Sequence, residues 1–297
     1  MKRSILLFGP TASGKTELAI KIALEKNAEI ISADSMQVYR HMDIGTAKPT
    51  KEQRELATHH LIDIVDPNEE WNVSLFIQNA KGLSERISKK DRLPLIVGGT
   101  GLYLNAFIND FSFPLAPADG NIRKELSQRP MEDLRKDLLK ADPVSAERIS
   151  PNDKKRMIRA LEVFAQTGKP ISSLQKNLER TDLTLICLED DRENVYARID
   201  RRVDNMVRQG LIEEVDSLIK KGYSKDLVSM QALGYKETAD FLGGRLSKDE
   251  AIELIKKRTR NFAKRQISWF NRFKNAHRID IGKGMDNAYN AVKNILS

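Results

Sequence analysis

The strongest constraint on this chain lies in residues 6–16, LLFGPTASGKT. Gly9, Pro10, Thr11, Ala12, Ser13, Gly14, Lys15 and Thr16 match the pattern GxxxxGK[ST] at every position. The pattern demands a context: a short apolar strand before it and an amphipathic helix after it. SILLF supplies the first, and KTELAIKIAL, with apolar residues at helical spacing, supplies the second. Glycines let backbone N–H groups turn inward as a nest for anions, and the following helix adds its positive N-terminus. Lys15 is expected to reach the outer phosphates, and Thr16 to hold Mg²⁺. NAEIISADS, RLPLIVGGT and TLICLE read as further strands, and TGLYLNAFI as a helix with Thr100 at its N-cap. Strands alternating with helices predict an α/β fold, a P-loop NTPase-like parallel sheet covered on both faces.

The character changes after about Phe113. LAPADGNIRKEL carries breakers, and the run to about Arg180 shows helical periodicity with no convincing strand. Within it SPND (Ser150 to Asp153) reads as a helix start with Ser150 as cap, and Gly168 and Pro170 close the helix that follows. The expected organisation is a catalytic core of residues 1–114 and 183–297, interrupted by an all-helical inserted domain of residues 115–182. The C-terminal third reads as mostly helical.

Net charge is +8, and it is concentrated. Lys256 to Lys274 holds eight basic residues and no acid, so the rest of the chain is close to balanced. Such a segment points to a polyanionic partner. Its aromatic residues Phe262, Trp269 and Phe273 fall at spacings compatible with one buried helix face. The chain has one cysteine, Cys187, which can form no internal disulfide and has no zinc-ligand spacing; a reducing cytoplasm fits this best. No apolar run reaches membrane-spanning length. His59 and His60 lack metal-ligand company and read as structural.

The loop alone does not say whose phosphates it holds. Hydrolytic phosphate-loop proteins place an acid at the end of a second core strand to hold Mg²⁺. Here LPLIV ends in Gly98-Gly99-Thr100-Gly101, with no carboxylate. The strand that does end in an acid is AEIISADS, with Asp34. Asp34, Ser35 and Gln37 then fall at the carboxyl edge where open α/β sheets bind ligands. Asp34 is placed to serve Mg²⁺, to act as a general base, or with Ser35 to cap the next turn; the Gln37 amide has the donor and acceptor pattern that reads adenine. Arg198, Arg201 and Arg202 share one helix face and suit a diphosphate clamp, or else pair locally with Asp200 and Asp204.

GPTASGKT, ADSMQVYR, GTAKP, HHLID, GGTGLYL, ALGYKE and RNFAKRQISWF occur in this order from residue 9 to about 273. Together they resemble the tRNA dimethylallyltransferases, also called tRNA isopentenyltransferases. The resemblance implies transfer of a dimethylallyl group from dimethylallyl diphosphate to the exocyclic amine of the adenosine 3′ of the anticodon. It implies that the loop and Mg²⁺ hold the diphosphate leaving group, that Asp34 is the base, and that Thr100 supports the same reaction centre. Arg208, just before the glycine of RQGL, is expected as the principal diphosphate-binding arginine. Asp34, Ser35, Met36, Gln37 and Thr100 are expected to meet the tRNA. The inserted domain is expected to cover the anticodon stem-loop with Arg123, Arg156 and Arg159. No Cys/His cluster follows the core, which points to the bacterial type. No obligate protein partner is expected. Two other readings compete: a small-molecule kinase, which would bind a nucleoside triphosphate, and a non-catalytic RNA-binding protein, which would give Asp34 no role.

Overall fold

In the computed structural model the described residues are 4–111, 119–174 and 180–297; the breaker run from Leu115 to Ala118 lies outside them. Six strands, β1 (Ser4–Phe8), β2 (Ala28–Ala33), β3 (His59–His60), β4 (Leu93–Gly98), β5 (Leu183–Glu189) and β6 (His277–Asp280), form one sheet in the order β3-β2-β4-β1-β5-β6. Every neighbouring pair is parallel. Central β1 is buried at every position, as a strand between two helical layers must be.

The register sets up the site. Phe8 lies opposite Gly98 on one side and Cys187 on the other, and Gly98 lies opposite Ala33. The residues that follow β1, β2 and β4 therefore leave the sheet together at its carboxyl edge. These are Gly9, Asp34 and Gly99.

The helices before the insertion are α1 (Lys15–Lys26), α2 (Lys51–Leu56), α3 (Val73–Lys89) and α4 (Gly101–Ile108). Then come α5 (Gly120–Gln128), α6 (Met131–Ala141), α7 (Pro143–Arg148), α8 (Lys154–Thr167) and α9 (Ile171–Leu174). After β5 follow α10 (Arg192–Arg208), α11 (Leu211–Lys220), α12 (Tyr235–Leu242), α13 (Lys248–Phe270) and α14 (Met285–Ile295). Ile5 and Leu7 of β1 share a core with Leu18 and Ile22 of α1 and Val292 of α14. Phe8 instead meets the rings of Phe270 and Phe273 edge-on at 5.1 and 5.4 Å. A second cluster joins Val38, Tyr39 and Met42 to Leu211, Tyr235 and Ile255.

The chain separates into two compact units, Met1–Asn105 with Thr181–Ser297, and Ala106–Arg180. The second is helical and has its own core of Leu134, Leu138, Ala146, Met157 and Leu161.

Three local expectations are corrected. Asp153, not Ser150, caps α8: its carboxylate accepts the Arg156 N–H at 3.1 Å, while Ser150 closes the preceding turn through its own carbonyl to Asp153 N–H. Gly210 ends the helix that carries Arg208, as its place in RQGL implied: at φ 103° it takes a left-handed conformation that an α-helix cannot continue through, and α11 starts after it. The HH pair and HRID are strands; two and four residues are too few for any periodicity to declare them. Phe270, rather than Phe262 and Trp269, joins Phe273 in the core.

Candidate active site

The phosphate loop wraps the N-terminus of α1. Gly14 has φ 76°, a left-handed conformation that strains any other residue, and the Met285 methyl end lies against it. Lys15 folds back along its own loop: Nζ donates to the Gly9 carbonyl at 2.9 Å, the Pro10 carbonyl at 2.6 Å and Ser13 Oγ at 3.3 Å. Burial, aided by the Arg202 charge, lowers its pKa to about 7. Arg198 Nε donates to the Ala12 carbonyl at 2.9 Å and pairs with Asp190 at 2.6 Å. Arg202 donates to Thr11 Oγ1 at 3.1 Å. A cleft of about 1020 Å³ opens over this surface, lined by Ser13, Gly14 and Thr16 on the loop and by Arg198, Arg201 and Arg202 on α10. The Thr16 hydroxyl has no partner among the described residues.

Of the α10 arginines, Arg198 and Arg202 hydrogen-bond the loop. Arg208 ends α10 with its guanidinium exposed and held on Asn205, and it does not line the cleft. It lies in the last turn of α10, about 9 Å further along the axis than Arg202, with its guanidinium turned onto Asn205. The acids next in sequence do not pair with Arg202, whereas Arg198 is held by nearly buried Asp190. Asp200 is taken by Arg260 at 2.5 Å and Asp204 by Lys256 at 2.8 Å, both on α13.

Asp34 stands at the end of β2. Its Oδ1 accepts the N–H groups of Met36 at 2.8 Å and Gln37 at 3.3 Å, and Oδ2 has no partner among the described residues. Burial raises its pKa, opposed by those two N–H groups and by the charges of Lys15 and Arg202. Thr100, at the end of β4, accepts the Ser35 N–H on Oγ1 at 3.1 Å, and its hydroxyl lies 3.4 Å from Ser35 Oγ. Thr100 thus ties the Asp34 turn to the neighbouring strand, while its backbone carbonyl starts α4. Met36 supports Asp34 through its backbone, and its side chain packs on the second core cluster.

Gln37 is corrected by its contacts. Its Oε1 accepts from Ser32 Oγ at 3.1 Å, and its Nε2 donates to the carbonyls of Ala47 at 3.2 Å and Thr46 at 3.4 Å. An amide engaged at both ends braces the loop that follows rather than presenting an edge to a base. The same loop is held from the other side by Glu214, whose carboxylate accepts the N–H groups of Asp43, Ile44 and Gly45 and the Tyr235 hydroxyl. Sequence reasoning assigned no role to Glu214, Tyr235, Asp190 or Gln266. Tyr235 and Gln266 lie inside ALGYKE and RNFAKRQISWF, and that membership was the available signal.

In the helical unit, Arg123 and Arg159 both grip Glu162, at 2.9 and 2.7 Å, and the Glu162 side chain is 0% exposed. Arg156 is exposed and lies 3.2 Å from the capping Asp153. The basic segment also divides. Lys256 pairs with Asp204 and Glu253, Arg258 with Glu237 and Arg260 with Asp200. Lys257, Lys264, Arg265, Arg272 and Lys274 remain exposed, with Arg265 over the Phe262 ring and Arg272 over Trp269, at 5.8 and 4.5 Å. His60 pairs with buried Glu29 at 2.6 Å. Among the described residues no group of three or more His, Cys, Asp or Glu could hold a metal, and no helix is long and apolar enough to cross a membrane.

A parallel sheet with a phosphate loop, a free-edged carboxylate two strands away and two arginines on the loop defines a phosphate-loop group-transfer enzyme. Comparison with known proteins narrows this. The family model described as IPP transferase matches residues 37–273, and that of isopentenyl transferase matches residues 2–64. The tRNA dimethylallyltransferase of Thermotoga neapolitana is 50% identical over 272 residues, covering 90% of this chain and 89% of that protein. The full-length tRNA isopentenylpyrophosphate transferase of Bacillus halodurans superposes with a TM-score of 0.75 at 41% identity, covering 100% of this chain and 96% of the other. A eukaryotic dimethylallyltransferase caught acting on tRNA superposes with a TM-score of 0.83 at 30% identity, over 94% of this chain and 74% of that one. The chain belongs to the IPP transferase family, the tRNA dimethylallyltransferases.

Proposed function

We propose that this enzyme transfers a dimethylallyl group from dimethylallyl diphosphate to the exocyclic amine of the adenosine 3′ of the anticodon in tRNA, releasing diphosphate. The observation that carries the reading is Asp34: a carboxylate with one oxygen fixed by two backbone N–H groups and the other free, on the same sheet edge as the phosphate loop. The allylic C–O bond breaks with its electron pair on the diphosphate, the adenine nitrogen forms the new N–C bond, and Asp34 accepts the proton that nitrogen loses. Burial raises its pKa, which makes it a stronger base than an exposed aspartate. Lys15, Arg198 and Arg202 oppose the charge that builds on the leaving group. The carbonyls that Lys15 now holds are weaker partners than diphosphate oxygens.

Mg²⁺ suits the site on donor chemistry. The unpartnered Thr16 hydroxyl in the cleft is a hard oxygen ligand, and Mg²⁺ takes few protein ligands when a substrate supplies phosphate oxygens. When bound it would neutralise diphosphate charge. With diphosphate oxygens and water as its other ligands, Mg²⁺ would not require a carboxylate after β4.

The adenosine must leave its stack to be alkylated. Ser35 and Thr100, beside Asp34, line the approach we assign to it. For the RNA backbone we assign Lys264, Arg265 and Arg272 of the α13 region, together with Arg123, Arg156 and Arg159 of the helical unit. A tRNA substrate places the enzyme in the cytoplasm. The test is incubation with labelled donor, Mg²⁺ and tRNA bearing adenosine 3′ of the anticodon. Label should enter the tRNA, disappear in Asp34→Ala, and be accompanied by negligible ATP turnover. Metabolite-stimulated ATP hydrolysis without label transfer would point to a kinase instead.

A further inference from the structure

We infer that Gln266 is a positioning residue that holds the phosphate loop and the Thr100 loop at a fixed separation. Gln266 is buried on α13, far in sequence from both loops. Its Oε1 accepts the Thr11 N–H at 2.8 Å, and its Nε2 donates to the Gly99 carbonyl at 2.8 Å. Only this orientation of the amide satisfies both partners, since one offers a hydrogen and the other a lone pair. A Cβ on Gly99 would collide with Gln266 Nε2, so the loop is pressed directly onto the amide. One turn further along α13, Trp269 meets Gly101 in the same way, with its ring 3.0 Å from where a Cβ would be.

Both contacts continue into the reaction centre. Thr11, fixed through its N–H by Gln266, carries the hydroxyl that receives Arg202. Gly99 precedes Thr100, whose hydroxyl accepts the Ser35 N–H beside Asp34. Gln266 therefore bridges the group that meets the leaving diphosphate and the turn that carries the base. Transfer between two bound substrates depends steeply on their separation: a misplacement of about 1 Å costs about a hundredfold.

The inference rests on the transfer reaction proposed above, and one experiment separates the two. Label transfer by the wild-type enzyme is measured first; if it is absent, the reaction is wrong and the role of Gln266 falls with it. If it is present, Gln266→Glu and Gln266→Met are compared with wild type from pH 6 to pH 8.5, at a temperature well below their melting points. Gln266→Glu keeps the acceptor for Thr11 but sets an oxygen against the Gly99 carbonyl until the new carboxyl is protonated. Its kcat should fall about a hundredfold at the alkaline end and recover relative to wild type as the pH drops. Its Kd for dimethylallyl diphosphate, by calorimetry, should stay within about threefold of wild type, because loss of one neutral contact outside the ligand changes affinity little. Gln266→Met fills the space with neither bond, and its kcat should be low at every pH. Either variant that loses thermal stability while keeping wild-type kcat overturns the inference, as does a Gln266→Glu deficit that does not change with pH.

Discussion

Two pairs of arginines were candidates for phosphate contacts, and the structure treats them differently. On α10, the acids next in sequence turn towards α13 and are taken there, so Arg202 reaches the phosphate loop with no acid paired to it among the described residues, while Arg198 reaches the loop and also pairs with buried Asp190. In the helical unit, Arg123 and Arg159 close on one buried carboxylate, Glu162. A cluster of arginines in a sequence looks the same in both cases. What separates them is where the nearest acid points, and that is set by helix phase and burial.

The largest effect should come from Asp34, the carboxylate that feels the charges of Arg202 and Lys15. Asp34→Asn removes the base and leaves the shape, and label transfer should fall by roughly 10²–10⁴ with donor affinity preserved. Equal loss of donor affinity would mean that Asp34 acts on the diphosphate side. Next, Arg202→Ala should lower kcat/KM for the donor by roughly ten- to a hundredfold, the scale of a hydrogen bond to a charged group. Arg208→Ala should stay within about twofold, since its guanidinium lies off the cleft. If Arg208 proves the more costly, α10 must rotate or shift when the donor binds.

The second pair should show its effect in stability. Burial alone would raise the Glu162 pKa, but hydrogen bonds from Arg159, the Asp119 N–H and Arg123 together hold it below the ordinary glutamate value. A carboxyl with a depressed folded pKa contributes stability above its unfolded pKa of about 4.3, and that contribution is lost as pH falls through the folded value. Glu162→Gln should therefore cost about 1–2 kcal/mol at neutral pH and flatten the acid limb of unfolding. The low end of the range applies because Arg123 and Arg159 are both partly in solvent. Denaturant titration across pH 3–7 measures both effects.

The same distinction runs along α13, on a smaller scale. Lys264→Ala and Arg265→Ala should each reduce the salt dependence of tRNA binding by about one unit. Lys256→Ala should leave the slope unchanged, because hydrogen bonds to Asp204 and Glu253 hold that ammonium and raise its pKa. A lower slope in Lys256→Ala would show that those ion pairs open when RNA arrives.

Much of the site was legible because its signals are local. GPTASGKT needs only its own backbone to make a nest, and AEIISADS ends in Asp34 because a buried strand must end where the apolar run ends. What was not legible depends on partners far along the chain. Gln37 looked free to read a base until Thr46 and Ala47 claimed its amide. Lys256 looked like a phosphate contact until Asp204 met it across two helices. Arg208 stood out by its place before a glycine, whereas position along α10 decides which arginines reach the loop. Strands β3 and β6 were too short to carry a pattern, and only pairing to their neighbours defines them.

The central claim is that the cradle at the end of β1 grips a departing diphosphate. A crystal soaked with both a nucleoside triphosphate and a non-reactive analogue of dimethylallyl diphosphate tests it directly. The account predicts the prenyl analogue in the loop, its phosphates on Lys15 and Thr16 and its allylic carbon towards Asp34. A triphosphate seated there instead, its terminal phosphate aligned with an acceptor, would contradict it.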